Sequence, residues 1–296
     1  MSSRIAIVTD TNSGISQAEG IYQIPMPVIL DGETYFEGVS ITPETFYARL
    51  RSGADVKTSQ PSPGDLLETW EPLLTRYDEI VYIPMSSGLS GSCDTAKTLA
   101  RDFGGRVWVA DNHRISVTLR QSVLEAQYLA GNGKSAPEIV AFLEREGPES
   151  SIYIAVNTLE LLKRSGRVTP AAAAIGTVLQ IKPVLQIQGG KLDAYKKVRG
   201  KKAAMEAIIE GLRQDRETRF AGQQVTIRAA YTGDDSLGEQ WRLTLQAAFP
   251  DLAIGKDPLP LSIACHTGEN ALGVGIMRDQ FGISRAGEQK AGCPSG

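Results

Sequence analysis

Short apolar runs alternate with amphipathic stretches through the first half of the chain. Residues 5–9, 80–83, 107–110 and 152–156 are runs rich in isoleucine and valine that read as central strands. Each leads into polar residues: Asp10-Thr11-Asn12, Ser86-Ser87, Asp111-Asn112 and Asn157-Thr158. Strands alternating with helical patterns predict an α/β domain built on a mostly parallel sheet. Ligands of open α/β sheets bind beyond the carboxyl ends of the strands, so these four loops are expected along one rim. Residues 27–30 and 34–36 flank Asp31-Gly32 and predict a hairpin.

Two helix starts are well marked. Thr42 with Pro43, and Ser62 with Pro63 and Asp65, combine an N-cap hydroxyl with a first-turn proline. Helices are also expected over 93–102, 116–130 and 136–144, the last two joined by Gly131-Asn132-Gly133. After Asn157 the pattern changes: residues 158–162 read as helix and 171–174 are all alanine. Strands expected at 183–187, 225–231 and 261–265 then alternate with helices at 203–212 and 237–249. A chain of 296 residues exceeds the usual single domain. The expected organisation is an N-terminal parallel-sheet α/β domain (1–156), a C-terminal α+β domain (157–287) and a flexible tail (288–296), with a cleft between the domains.

Composition narrows the partners. A formal net charge of −3 carries no basic excess, which argues against nucleic acid. Cys93, Cys265 and Cys293 form no CxxC pair or zinc spacing, so no metal is expected and the compartment is read as reducing. The N-terminal apolar run is too short for a secretion signal or a membrane span, and a cytoplasmic protein is expected. Gly133-Lys134-Ser135 would need glycine at Tyr128 to be a phosphate loop, and Gly273-Val274-Gly275 reaches Arg278 where a dinucleotide fingerprint needs glycine. No nucleotide cofactor is expected.

The residues richest in chemistry lie at Ser86-Ser87-Gly88-Leu89-Ser90-Gly91-Ser92, where a strand runs into a serine- and glycine-rich turn before a helix. Unpaired N–H groups and the positive helix end there favour a bound carboxylate or phosphate. An ordinary connection capped by Ser92 is the plainer alternative. Thr58-Ser59-Gln60-Pro61-Ser62 and His266-Thr267-Gly268 are two further clusters able to complete such a site.

Together with Ile7-Val8-Thr9-Asp10-Thr11, Asn157-Thr158-Leu159, Ser165-Gly166-Arg167 and Ala271-Leu272-Gly273, these motifs resemble the DegV family over nearly the whole chain. The resemblance implies a two-domain, non-enzymatic fatty-acid carrier with the acyl chain in a buried tunnel and its carboxylate at the domain junction. It also implies a separate ATP-dependent fatty acid kinase that phosphorylates this carboxylate. Three positions depart from the family pattern: Asn157 stands for aspartate, Ser165 for the first glycine of Gly-Gly-Arg, and Gly268-Glu269-Asn270 for Gly-Pro-Gly. If Glu269 points inward, its charge would raise the pKa of His266 or weaken carboxylate binding.

On this resemblance the carboxylate is expected to be held by Thr58, Ser59, Ser90, Gly91, His266 and Thr267, with no catalytic residue in the chain. Ser59 and Gly91 would act through backbone N–H groups, each charge-assisted bond contributing on the order of 1.5–3 kcal/mol. Burying about fourteen methylenes of a sixteen-carbon tail would contribute roughly 11 kcal/mol before ordering costs, so the tail dominates affinity. Ile175, Val178, Leu179 and Ile181 fit a tail lining or an ordinary core equally well. His266 has a structural role as its alternative, and Arg167 is read either as a contact for the transferring phosphate or kinase, or as a solvated arginine. The basic run 196–202 suits an acidic partner, a transient membrane-surface contact or a solvated face. Two other functions compete: a serine acyltransferase or esterase, although Gly88-Leu89-Ser90-Gly91-Ser92 ends in serine where a nucleophile elbow needs glycine, and a polar small-molecule sensor.

Overall fold

The computed structural model describes residues 3–15, 21–174 and 181–283. Among them the strands form three sheets. β1 (Ile5–Asp10), β2 (Tyr22–Ile24), β6 (Glu79–Ile83) and β7 (Val107–Val109) make the first, parallel throughout in the order β2-β1-β6-β7. Its strands are apolar at successive positions because both faces are covered. Ala6, Val8, Ile80 and Tyr82 pack with Leu66 and Trp70 of α2 (Pro63–Leu74) and Ala96 of α3 (Ser92–Ala100). The alternate positions Ile7, Val81 and Ile83 pack with Leu119 and Val123 of α4 (Ser116–Gly131) and Ile139 of α5 (Ala136–Glu146).

The second sheet is mixed and has the order β10-β9-β8-β13-β11-β12. Its strands are β8 (Ser150–Ala155), β9 (Ile181–Ile187), β10 (Asp193–Arg199), β11 (Val225–Tyr231), β12 (Gly255–Pro258) and β13 (Leu272–Arg278). Only the β11–β12 pairing is parallel. α8 (Gly200–Glu217) and α9 (Asp235–Ala248) cover one face through Ile208, Leu212, Trp241 and Leu245. The opposite face, including Ile154, Leu185, Ile187 and Ala230, shares a core with α4. α4 thus lies between the two sheets, which is why it is buried on several sides rather than along one stripe.

A small antiparallel sheet of β3 (Pro27–Leu30), β4 (Glu33–Phe36) and β5 (Val56–Thr58) packs with α1 (Pro43–Arg51) and α10 (Leu261–Thr267). The expected hairpin joins β3 to β4, with both Asp31 and Gly32 at positive φ as a two-residue hairpin turn requires. Both expected helix starts form, Thr42 Oγ1 accepting from Thr45 N and Ser62 making a reciprocal box with Asp65.

Two expectations are corrected. The run 152–156 lies not in the parallel sheet but in β8, between β9 and β13, so the chain changes sheet between β7 and β8. An apolar run fits either sheet equally, and only its partners decide. Residues 261–265 form helix, not strand: Leu261, Ala264 and Cys265 recur at helical spacing and pack on Val28, Leu30 and Phe46, after a start at Pro260. The tail at 288–296, Cys293, and Ile175, Val178 and Leu179 lie outside the described residues. No helix among those described is long and apolar enough to cross a membrane.

Candidate functional site

Three of the four polar loops converge at the carboxyl end of the parallel sheet. Asp10, the last residue of β1, is fully buried and accepts backbone hydrogen bonds from Asn12 N at 2.9 Å and Met85 N at 2.8 Å. Ser86 N donates to Arg114 O, and Ser87 N to Asp111 Oδ1 at 3.3 Å. The fourth loop follows β8 elsewhere: Asn157 Nδ2 donates to Glu269 O, and Lys182 Nζ to Asn157 Oδ1.

Beside this rim lies a cavity with about 850 Å³ of atom-free space, counting open solvent at its mouth. One end is polar and is lined by Thr58, Ser59, Ser90, Arg167, His266 and Thr267. The rest is largely aliphatic, with Ile115 and Val117 from the start of α4 and Ile152, Ile154 and Ile187 from the six-stranded sheet. The head cluster is assembled from β5, the turn before α3, α10 and the turn after α6 (Glu160–Ser165).

Thr58 Oγ1 and His266 Nε2 lie 2.9 Å apart. Burial, reinforced by the positive charge of Arg167, lowers the His266 pKa to about 4, so the ring is neutral at physiological pH. With its proton on Nε2 the ring donates to Thr58, and the threonine hydroxyl is then free to donate to a ligand oxygen. Ser90 Oγ accepts from Ser92 N at 3.2 Å, which leaves its own O–H available. Arg167 Nε donates to Leu89 O at 3.4 Å and Nη1 to Ser165 O, holding the guanidinium against the serine-rich turn.

The remaining expected residues are placed differently. Ser59 N donates to Pro27 O at 3.3 Å and its hydroxyl to Gln60 O, so neither points to a ligand as a free donor; the chain at Ser59 is still tied to the end of β3. Thr267 lines the cavity, but its hydroxyl donates back to Ile263 O within α10. Gly91 is the N-cap of α3, where a Cβ would come within 3.0 Å of Gln60 Oε1, and it stands outside the lining. The capping alternative for Ser92 fails, since Ser92 is inside the helix with a buried, unpartnered Oγ. Glu269 pairs with Arg51 at 2.6 Å, and the His266 pKa is lowered rather than raised.

Asn12 and Ser262 were not foreseen at this site. Both line the cavity, where Ser262 Oγ donates to Asn12 Oδ1 at 2.7 Å and Asn12 Nδ2 to Met85 Sδ at 3.1 Å. Asn12 was visible only as part of a polar loop. Ser262 stands four residues before His266, a relation that becomes a shared helix face only once 261–267 is read as helix.

Sequence and structure comparisons agree with this architecture. The family model described as an uncharacterised protein of the DegV family matches residues 4–279. A DegV domain-containing protein of Deinococcus radiodurans is 34% identical over 280 residues, covering 92% of this chain and 98% of that protein. Among solved structures, a DegV family protein from Thermus thermophilus, reported with fatty-acid binding, superposes with a TM-score of 0.84 at 32% identity and covers 93% of this chain and 100% of its own. DegV from Bacillus subtilis, described as a fatty acid binding protein, gives a TM-score of 0.82 at 28% identity, with 94% and 100% covered. With the fold, the motif positions and these matches in agreement, the chain belongs to the DegV family.

Proposed function

We propose that this chain binds a long-chain fatty acid, with the acyl tail in the aliphatic part of the cavity and the carboxylate at Thr58, Ser90 and His266. The observation that carries the reading is the Thr58–His266 pair at the polar end of a cavity whose remaining lining is mostly apolar. A buried carboxylate needs donors, and the Thr58 and Ser90 hydroxyls supply them, with the neutral imidazole donating to Thr58 Oγ1 so that the threonine O–H is turned to the ligand. The fatty-acid binding of the Thermus thermophilus and Bacillus subtilis relatives supports the same ligand class. We place the protein in the cytoplasm as a carrier that presents the carboxylate to a separate ATP-dependent fatty acid kinase. Arg167 then faces the transferring phosphoryl group, and the basic run 196–202 serves any transient contact with an anionic membrane surface.

Two quantities measured together test the roles: the ligand dissociation constant and the rate of kinase- and ATP-dependent acyl-phosphate formation. Ser90→Ala should weaken binding by roughly 1.5–3 kcal/mol, one charge-assisted bond, with the tail still holding the ligand. Arg167→Ala should leave binding nearly unchanged and cut the phosphorylation rate, because its charge matters as negative charge moves in the transition state. Proportional losses of both in Arg167→Ala would instead make the arginine part of the carboxylate site.

A further inference from the structure

The six-stranded sheet presents two successive rungs to the cavity side, and they are filled unequally. Leu185, Ile154, Gly273 and Ala230 stand in register across β9, β8, β13 and β11. Two residues along each strand, Ile187, Ile152, Gly275 and Arg228 form the next rung on the same face. Large aliphatic groups therefore stand on β8 and β9, while β13 offers none.

The two glycines differ in what their missing side chains make room for. A Cβ at Gly275 would lie 2.6 Å from Val117 Cγ2 and 3.0 Å from Thr118 Cγ2, so α4 already fills that place. A Cβ at Gly273 would meet nothing nearer than Ala230 Cβ at 3.5 Å and Ile154 Cγ1 at 3.6 Å. Gly273 has no positive φ and adopts ordinary strand geometry, so the backbone itself does not require glycine there. It lines the cavity, as does Val117, whereas Gly275 does not.

We propose that Gly273 and Val117 set the length of acyl chain this protein accepts. The bare backbone at Gly273 gives the tail its passage across β13, and Val117, seated on Gly275, is the stop at the following rung. The proposal rests on the fatty-acid reading above.

Calorimetric titration of saturated fatty acids from ten to eighteen carbons into delipidated protein tests it, using wild type, Gly273→Val, Val117→Ala and His266→Ala. Wild-type affinity should rise about fourfold per methylene until the cavity is full. Gly273→Val should move that limit shorter by about two carbons and cost the longest acids roughly tenfold more than the shortest. Val117→Ala should move the limit longer, while His266→Ala should weaken every length by one common factor. Limits that stay put in both tail variants overturn the proposal, and so does a Gly273→Val profile that merely parallels that of His266→Ala. If Gly273→Val does not fold, an unchanged limit in Val117→Ala overturns it alone. A wild-type protein that binds none of the acids defeats the fatty-acid reading itself and the proposal with it.

Discussion

His266 couples the chemistry of the site to the stability of the protein. Its folded-state pKa of about 4 lies below the ordinary 6.5, so between these values the unfolded chain takes up a proton that the folded chain refuses. Its contribution to stability is complete above pH 6.5, falls as the pH drops toward 4 and is constant below that. His266→Gln should flatten this part of the profile, read from urea midpoints at neutral and mildly acidic pH. Equal acid losses in wild type and variant would contradict the assignment. Asp10 poses a different balance: burial raises its pKa to about 6, yet it is the acceptor for two buried backbone N–H groups. Leaving both donors unpaired should outweigh relief from the buried acid, so Asp10→Ala is expected to cost about 2 kcal/mol in urea denaturation. A change within about 0.5 kcal/mol would mean that the rim does not depend on it.

At the scale of elements, α10 and the serine-rich turn explain both what was legible and what was not. The capped helices, the Asp31-Gly32 hairpin and the parallel strands carry local signals, because caps, turn residues and apolar runs act over a few positions. The run at 261–265 did not, since five residues with a polar serine match either period, and its packing on β3 and α1 decides for helix. The same ambiguity hid Ser262. The head-group motifs were recognisable as hydroxyl clusters, but Ser59 and Thr267 lose their expected roles to nearby carbonyls, contacts that depend on local turn geometry. β10 and β13 were passed over because one reads as a basic run and the other as a glycine motif. The serine-rich turn is also fixed from outside: a Cβ at Gly88 would lie 2.6 Å from Gly190 Cα, on the turn between β9 and β10. Gly88→Ala should therefore push these turns apart, costing about 1–3 kcal/mol and weakening fatty-acid binding together. Unchanged thermal unfolding and affinity would show that the contact is not needed.

At the scale of the molecule, no single sheet holds the site. The parallel sheet supplies the rim loops, the small sheet and α10 supply Thr58 and His266, and the six-stranded sheet with α4 supplies the aliphatic walls. The polar end is small and the aliphatic part extensive, so the tail should contribute most of the affinity, at roughly 0.8 kcal/mol per methylene. A ligand gripped in this way should survive purification. The most direct test is to purify the protein without added lipid, extract it with organic solvent and weigh what is released by mass spectrometry. A long-chain fatty acid is expected, released intact and in near-stoichiometric amount, with the protein mass unmodified. A polar metabolite, or an acyl group retained covalently on Ser90, would contradict this expectation.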